Sequence, residues 1–362
     1  MANVSLYERG AVSSSSGSAA LVRIRGDEHD ARTDRGTAAR RRPAVTGSER
    51  ARAFFSALAD RIELRLYGVR EPLRLVLVGI LTDSHVLIDD VPGVGKTTMV
   101  RMLASLLGLK FQRVQFTPDL MPSDITGTSV LNLKTHEFEF RPGPIFTQIL
   151  LADEINRATP KTQAALLEAM QERQVTVDGV TYPLEEPFFV LATQNPVELE
   201  GTFPLPEAQL DRFLLRVRIG YPARAEEERI LESARGRRAM AVDALPEAPD
   251  LADLRAAVDA VRIEAPVRAY IVALARASRD HPDLQVGASP RSVEHMGDAA
   301  RARALLEGRD YVLPDDVKAL APSVWTHRLV PTTDARIRDR RSEDVLDEVM
   351  EEVPVPVEFQ GA

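Results

Sequence analysis

A chain of 362 residues, 44% hydrophobic and 28% charged, has ordinary globular composition and room for two or three domains. It has no cysteine, which excludes disulfides and thiolate metal sites, and its longest apolar runs, such as Leu73 to Leu81, are too short to span a bilayer. The net charge of −8 is uneven: residues 1–50 carry nine Arg against six acids, or +3, leaving −11 for the rest, an acidic body that argues against duplex nucleic acid as the main partner.

Residues 1–46 are rich in Ser, Gly, Ala and Arg without sustained periodicity and read as a disordered tail. They hold no apolar signal core, so a cytoplasmic setting is expected. From Ser48 the pattern turns helical, with Phe54, Phe55, Leu58 and Ile62 on one side, and Arg70 to Asp83 reads as a second, more buried helix. Strands then alternate with helices. His85–Asp89 is a buried strand, Lys96–Gly108 a helix and Phe111–Phe116 a strand, and three further β-rich runs follow at Gln148–Asp153, Pro187–Thr193 and Arg212–Ile219. That alternation predicts an α/β fold: a parallel sheet with helices on both faces.

Two stretches interrupt it. Gln174–Leu184 alternates Val175, Val177, Val180 and Tyr182 about Asp178-Gly179, a strong hairpin signal. Ser129–Phe140 reads as a weaker hairpin with apolar positions at Leu131, Leu133, Phe138 and Phe140. After Tyr221-Pro222 the strands stop and helical runs predict a second, all-α domain. The expected organisation is a tail over 1–46, an α/β domain over 47–221, a helical lid over 222–355 and an extended tail over 356–362.

The run Asp90-Val91-Pro92-Gly93-Val94-Gly95-Lys96-Thr97-Thr98 sits between a buried strand and a helix, the setting of a phosphate-binding loop. Glycines let backbone N–H groups approach phosphate oxygens, and the helix N-terminus adds a favourable dipole. Lys96 would reach the outer phosphates of ATP and the Thr97 hydroxyl would meet Mg²⁺. Asp90 stands where such loops usually carry their first glycine. Asp tolerates unusual backbone conformations, so the cradle survives, but Gly-Lys-Thr alone also arises by chance.

Partner motifs follow in order. A buried run ends in Asp153-Glu154, placing Asp153 to hold the metal and Glu154 to polarise an attacking water; the competing reading is a cap for the helix that Thr159-Pro160 begins. Asn195, at the end of the next strand, is either a turn residue or the group that orients that water. Arg212, just before the last strand, is either a surface charge or a finger toward a neighbouring subunit's γ-phosphate. Arg291, near a helix start in the second domain, is either a surface charge or a group that closes that domain onto the same nucleotide.

In these motifs the chain resembles the AAA+ ATPases, and closely the MoxR family, over residues ~48–355. The stretches that carry the likeness are Asp90–Thr97, Gly143–Glu172, Ala192–Leu215 and Ala288–Ser292. Loops of that family often begin with Asp. The resemblance implies a sheet of order 5-1-4-3-2 with a helical lid, and a homo-oligomeric ring, usually a hexamer, with ATP between neighbours. It also implies chaperone-like action on protein clients, including metal-cofactor insertion, and partners with von Willebrand factor A domains. Tyr67-Gly68-Val69 is a candidate border for the adenine.

Competing functions remain. A DNA-translocating motor would put Lys or Arg in the hairpins, and Gln174–Leu184 has none. A sigma-factor activator would carry a Gly-Ala-Phe-Thr-Gly-Ala loop, which is absent. A magnesium-chelatase-like subunit and a nucleotide-gated binding switch stay open. The six His, at 29, 85, 136, 281, 295 and 327, have no metal-ligand spacing.

Overall fold

The computed structural model describes residues 46–89, 91, 93–195, 201–233 and 249–356. Apart from Thr46, the expected disordered tail lies outside the described residues, as do Asp90, Pro92 and residues 357–362. The described residues fall in one compact unit.

Thr46 caps the first helix, α1 (Gly47–Glu63): its hydroxyl accepts from the Glu49 N–H at 3.2 Å, and the Glu49 carboxylate accepts from the Thr46 N–H at 2.9 Å. Phe54, Phe55, Leu58 and Ile62 are its buried face. Helix α2 (Arg70–Leu81) is buried on most sides, as its apolar run predicts. Then come β1 (His85–Asp89), α3 (Lys96–Leu107), β2 (Phe111–Gln115) and α4 (Pro122–Thr126), a hairpin of β3 (Gly127–Asn132) and β4 (Glu137–Pro142), and β5 (Ile149–Asp153). Next are α5 (Pro160–Glu172), a hairpin of β6 (Gln174–Val177) and β7 (Val180–Pro183), β8 (Phe189–Gln194), α6 (Glu207–Leu210) and β9 (Phe213–Val217).

Strands β2, β5, β8, β1 and β9 form one parallel sheet in that order, which in the count of core strands is 5-1-4-3-2 read from the β9 edge. The inner strands bury both faces, so their sequences read as continuous apolar runs. The two-residue pleat still divides them. Val86, Ile88, Ile149, Leu151 and Leu191 join one apolar cluster, while Leu87, Leu150, Ala152, Val190 and Ala192 join the other.

Both hairpins form. Asp178 and Gly179 take φ of 51° and 79°, as a two-residue turn of this hand requires. In the other hairpin Leu131 pairs with Phe138 and Ser129 with Phe140. Its apolar positions do not all turn inward: Leu131, Leu133 and Phe138 are exposed. Phe140 instead stacks on Tyr182 of the neighbouring hairpin, with ring centroids 4.0 Å apart and planes 14° from parallel.

Beyond Pro222 the described residues are mainly helical: α7 (Arg224–Ser233), α8 (Leu251–Asp259), α9 (Ala265–Asp280), α10 (Pro290–Leu306), α11 (Pro314–Trp325), α12 (Thr333–Ile337) and α13 (Ser342–Glu352). The expectation that strands stop here needs one correction. A small antiparallel ribbon joins β10 (Leu284–Val286) to β11 (Val330–Pro331), and strands this short leave no alternation to read. Helix α10 packs on α1 and α2, and α11 packs on β9, so one apolar cluster runs from the first helices through the sheet into the helical segment. Trp325 is fully enclosed, its indole N–H donating to the Ser292 carbonyl at 3.1 Å.

His85 joins three elements at the start of β1. Its Nδ1 accepts from the Val190 N–H at 3.1 Å, so the proton sits on Nε2, 3.1 Å from the Met170 carbonyl. Burial, then the nearby Arg173 cation, pushes its pKa down to about 3. Because the folded value lies below the unfolded one, the stability this histidine contributes is full above pH ~6.5 and is lost as pH falls toward its folded value, at about 1.4 kcal/mol per pH unit. His85→Gln should therefore flatten the dependence of unfolding free energy on pH between about 6 and 4 by that slope. Urea titrations at a series of pH values check it, and an unchanged slope would contradict a neutral buried His85.

Candidate functional site

The five parallel strands end along one edge of the sheet, and the loop after β1 leaves from that edge. Gly93 and Gly95 take φ of 89° and 91°, which non-glycine residues rarely adopt. Around Gly93 the place of a Cβ is open, while at Gly95 a Cβ would press on the Leu66 side chain at 2.8 Å. The loop is thus a bare backbone cradle at the head of the twelve-residue helix α3. The Lys96 ammonium donates to the Val91 carbonyl at 3.1 Å. Behind the loop, the buried Asp89 carboxylate accepts from Nε of Arg216 on β9 at 2.9 Å, which fixes the end of β1.

Asp153 and Glu154 end β5, next to β8. The Thr193 hydroxyl on β8 donates to Asp153 Oδ1 at 2.6 Å and accepts from the Glu154 N–H at 2.9 Å. Asp153 Oδ2 accepts from Nε and Nη2 of Arg113 on β2, at 3.0 and 2.7 Å. Glu154 has left-handed φ and ψ of 56° and 50°, and its Oε2 accepts from Gln115 Nε2 at 2.7 Å and Arg157 Nη1 at 3.0 Å. Neither carboxylate caps α5, which starts at Pro160 behind Thr159; the capping alternative is excluded by position.

A cleft of ≈ 350 Å³ gathers Gly93, Gly95, Lys96, Thr97 and Thr98 with Asp153, Glu154 and the buried Asn195. Eight residues from three stretches far apart in sequence, each at or following a strand end, thereby meet in one place. Arg113 and Gln115 line it too, and sequence reading missed both, as it missed Thr193. The only available signal was their position: the ends of strands flanking the one that carries the carboxylates. Among the described residues no group of three or more His, Asp or Glu could hold a metal ion alone. The donors present, a hydroxyl at Thr97 and a carboxylate at Asp153, suit a hard divalent cation that takes its remaining ligands from phosphate and water. Asp90 and Pro92, the two other expected loop residues, lie outside the described residues.

A second cavity, of ≈ 580 Å³, shares Gly93 and Gly95 with the first and adds Val94. Leu66, Tyr67, Tyr221, Ile230 and Leu231 give it an apolar wall, and the Arg229 guanidinium lies 4.3 Å from the centre of the Tyr67 ring. A flat heterocycle joined to a phosphate chain fits this pairing of cavities. Tyr67 is where the sequence reading puts it, whereas Gly68 and Val69 are not in the lining.

Arg212 and Arg291 lie elsewhere. They share a third cavity, of ≈ 410 Å³, with Asp83, His85 and His295. Those neighbours mark the starts of β1 and β9, the opposite edge of the sheet from the phosphate-loop edge. Five residues of strand separate the two edges by about 16 Å. The expectation that Arg291 closes onto its own chain's nucleotide is therefore corrected: α10, which it begins, lies against α1, α2 and α11 and presents its first turns to the start of β9. Neither guanidinium has a hydrogen-bond or ion-pair partner among the described residues. His295 beside them is held neutral, pushed down to about 4 by burial and then by the Arg328 and Arg291 cations.

Comparison with known proteins agrees with this geometry. Residues 85–215 match the model of the ATPase family associated with various cellular activities (AAA), and residues 276–349 match that of the AAA lid domain. The chain is 49% identical over 300 residues to the uncharacterized protein YeaC of Bacillus subtilis, covering 83% of this chain and 94% of that one. It is 42% identical over 300 residues to the chaperone MoxR1 of Mycobacterium tuberculosis, covering 80% and 79%. A crystal structure described as a candidate ATPase of Cytophaga hutchinsonii superposes with a TM-score of 0.79 at 36% identity, covering 86% of this chain and 97% of that one.

Thr193→Val keeps the shape of the side chain while removing its bonds to the Asp153 carboxylate and the Glu154 N–H. Loss of such a supporting partner should lower phosphate release from ATP on the order of 10- to 100-fold. A steady-state phosphate assay checks this, and wild-type turnover in a folded Thr193→Val protein would remove Thr193 from the account.

Proposed function

The chain belongs to the MoxR family of AAA+ ATPases, and from that premise we propose that it hydrolyses ATP with Mg²⁺ at the seam between adjoining copies of itself in a ring, and uses the cycle to remodel or activate protein clients. The observation that carries the reading is the single cleft in which Lys96, Thr97, Asp153, Glu154 and Asn195 converge. In it residues 47–221 supply the nucleotide site and residues 222–355 act as the lid.

The backbone of residues 90–98 cradles the phosphates, and Lys96 turns from the Val91 carbonyl to the β- and γ-phosphates. Thr97 and Asp153 would hold Mg²⁺, which when bound offsets charge on the phosphate oxygens. Thr193 and Arg113 hold the two Asp153 oxygens in place at the cleft. Glu154 accepts a proton from the attacking water, and Asn195 aligns that water against the phosphorus. This pair of residues favours turnover over a switch that only binds nucleotide.

The location of Arg212 and Arg291 supports assembly. Two cations without a partner among the described residues, about a strand's length from their own phosphate loop, serve the reaction best in a neighbour's site. A hexamer is the ring size that the family resemblance suggests. For the client side, the exposed Leu131, Leu133 and Phe138 on one hairpin, stacked through Phe140 onto the other, offer an apolar surface to a polypeptide. The named activity of the Mycobacterium tuberculosis relative, a chaperone, agrees with that use. A partner with a von Willebrand factor A domain, and metal-cofactor insertion into it, belong to the same proposal on the resemblance alone.

Glu154→Gln should bind ATP as the wild type does and hydrolyse it at least about 100-fold more slowly; retained turnover would dismiss Glu154 as the base. Arg212→Ala should bind ATP normally and lose on the order of 10³ in turnover. Mixing Arg212→Ala with Lys96→Ala subunits before assembly should restore phosphate release, because each supplies what the other lacks. No recovery would count against catalysis across a seam.

A further inference from the structure

The Arg212 side chain has no hydrogen-bond or ion-pair partner among the described residues, so its aim is set by the backbone on either side. That backbone is held from the helical segment. Arg328, in the single turn after α11, is nearly enclosed, with 4% of its side chain exposed. Its Nε donates to Asp211 Oδ1 at 2.7 Å. Its Nη2 donates to the Phe213 carbonyl at 2.7 Å, to the Asp211 carbonyl at 3.3 Å and to His295 Nδ1 at 2.9 Å. Its Nη1 donates to the Leu214 carbonyl at 3.1 Å and also to the Val324 carbonyl of its own helix. The neighbouring His327 adds its Nε2–H to the Phe213 carbonyl at 3.1 Å.

Three carbonyls, at 211, 213 and 214, bracket residue 212, and one planar cation gathers all three. Burying a guanidinium is costly unless every donor is used, and here each is. A lysine in its place would offer donors from one nitrogen only and would not span the fork. Its partners at Asp211, Phe213 and Leu214 are 114 or more residues away in sequence, so it stitches the helical segment to the entry of β9. The same cation bonds His295 of α10, the helix that starts beside Arg291. Arg212 and Arg291 are thereby referred to one rigid knot.

We propose that Arg328 is a positioning residue for catalysis across the seam: it fixes the turn that presents Arg212, and so sets what a subunit donates to its neighbour without affecting its own nucleotide site. The inference rests on the reading of Arg212 as a finger acting in trans.

The test is the direction of complementation among full-length subunits, mixed in equal amounts before assembly and assayed for phosphate release from ATP. Arg328→Lys alone should lose turnover on the order of 100-fold, as a misplaced catalytic group does, with ATP binding unchanged. Mixed with Glu154→Gln, whose Arg212 is intact, it should regain activity. Mixed with Arg212→Ala it should not, since neither partner donates a competent arginine. A general folding defect would prevent recovery in both mixtures, and full activity of Arg328→Lys alone would mean the turn needs no fork; either result overturns the proposal. The control mixture of Arg212→Ala with Glu154→Gln judges the underlying reading separately, for if it fails to recover, the finger itself is wrong. Should Arg328→Lys not fold, Asp211→Ala releases one anchor at a half-buried position and should show the same one-way pattern with a smaller loss. Recovery of Asp211→Ala in both mixtures would equally overturn the role.

Discussion

One hydroxyl group organises the reactive end of the molecule. Thr193 stands where β5 and β8 end side by side, giving its proton to Asp153 and taking the N–H of Glu154. Glu154 itself has left-handed φ and ψ of 56° and 50°. The two consecutive carboxylates thereby part: Asp153 goes to Thr193 and Arg113, and Glu154 to Gln115 and Arg157. A hydrogen bond to a charged group contributes about 1.5–3 kcal/mol. Its larger effect here is geometric, since it ties the end of β5 to the end of β8 at both residues. The arrangement rests in turn on the sheet order, because only neighbouring parallel strands in register, with Ala152 opposite Ala192, bring these ends together.

The same sheet gives the molecule two chemically different edges. At one, the strand ends and the head of α3 gather groups suited to a polyphosphate and a divalent cation. At the other, Arg212 and Arg291 lie together with no side-chain hydrogen-bond or ion-pair partner among the described residues. A parallel sheet keeps these edges apart by about the length of a strand, and the proposed seam between two copies is the arrangement that would bring both to one nucleotide. The helical segment is bound into this polarity through Arg328, whose buried fork ties it to the start of β9. The same fork bonds His295 of α10, so the turn before β9 and the helix that Arg291 begins are joined in one hydrogen-bonded unit.

Much of this was legible in the sequence, for physical reasons that can be named. Strands buried on both faces spell continuous apolar runs, so β1, β5, β8 and β9 stand out, and Asp178-Gly179 announces its hairpin through the positive φ it needs. The phosphate loop and Asp153-Glu154 are visible because their chemistry requires particular residues in consecutive positions. What stayed hidden depends on neighbours in space. Thr193 lay inside a run readable only as strand, and Arg113 and Gln115 sit on the half-exposed edge strand β2, where polar residues need no explanation. Arg291 was legible as a motif but not in its placement, because the packing of α10 on α1 and α2 has no local signature. Arg328 bonds residues more than a hundred positions away, and the β10–β11 ribbon is too short to show a pattern.

The central claim is spatial: a triphosphate lies between two copies, gripped by one and completed by the other. The most direct measurement is an electron-microscopy map of assembled full-length Glu154→Gln protein with ATP and Mg²⁺. The account predicts density for the triphosphate along residues 93–97, its terminal phosphate about 3 Å from the Lys96 ammonium and met from outside by Arg212 of an adjacent copy. Nucleotide density away from Lys96, or a terminal phosphate open to solvent with every Arg212 remote from it, would contradict the account.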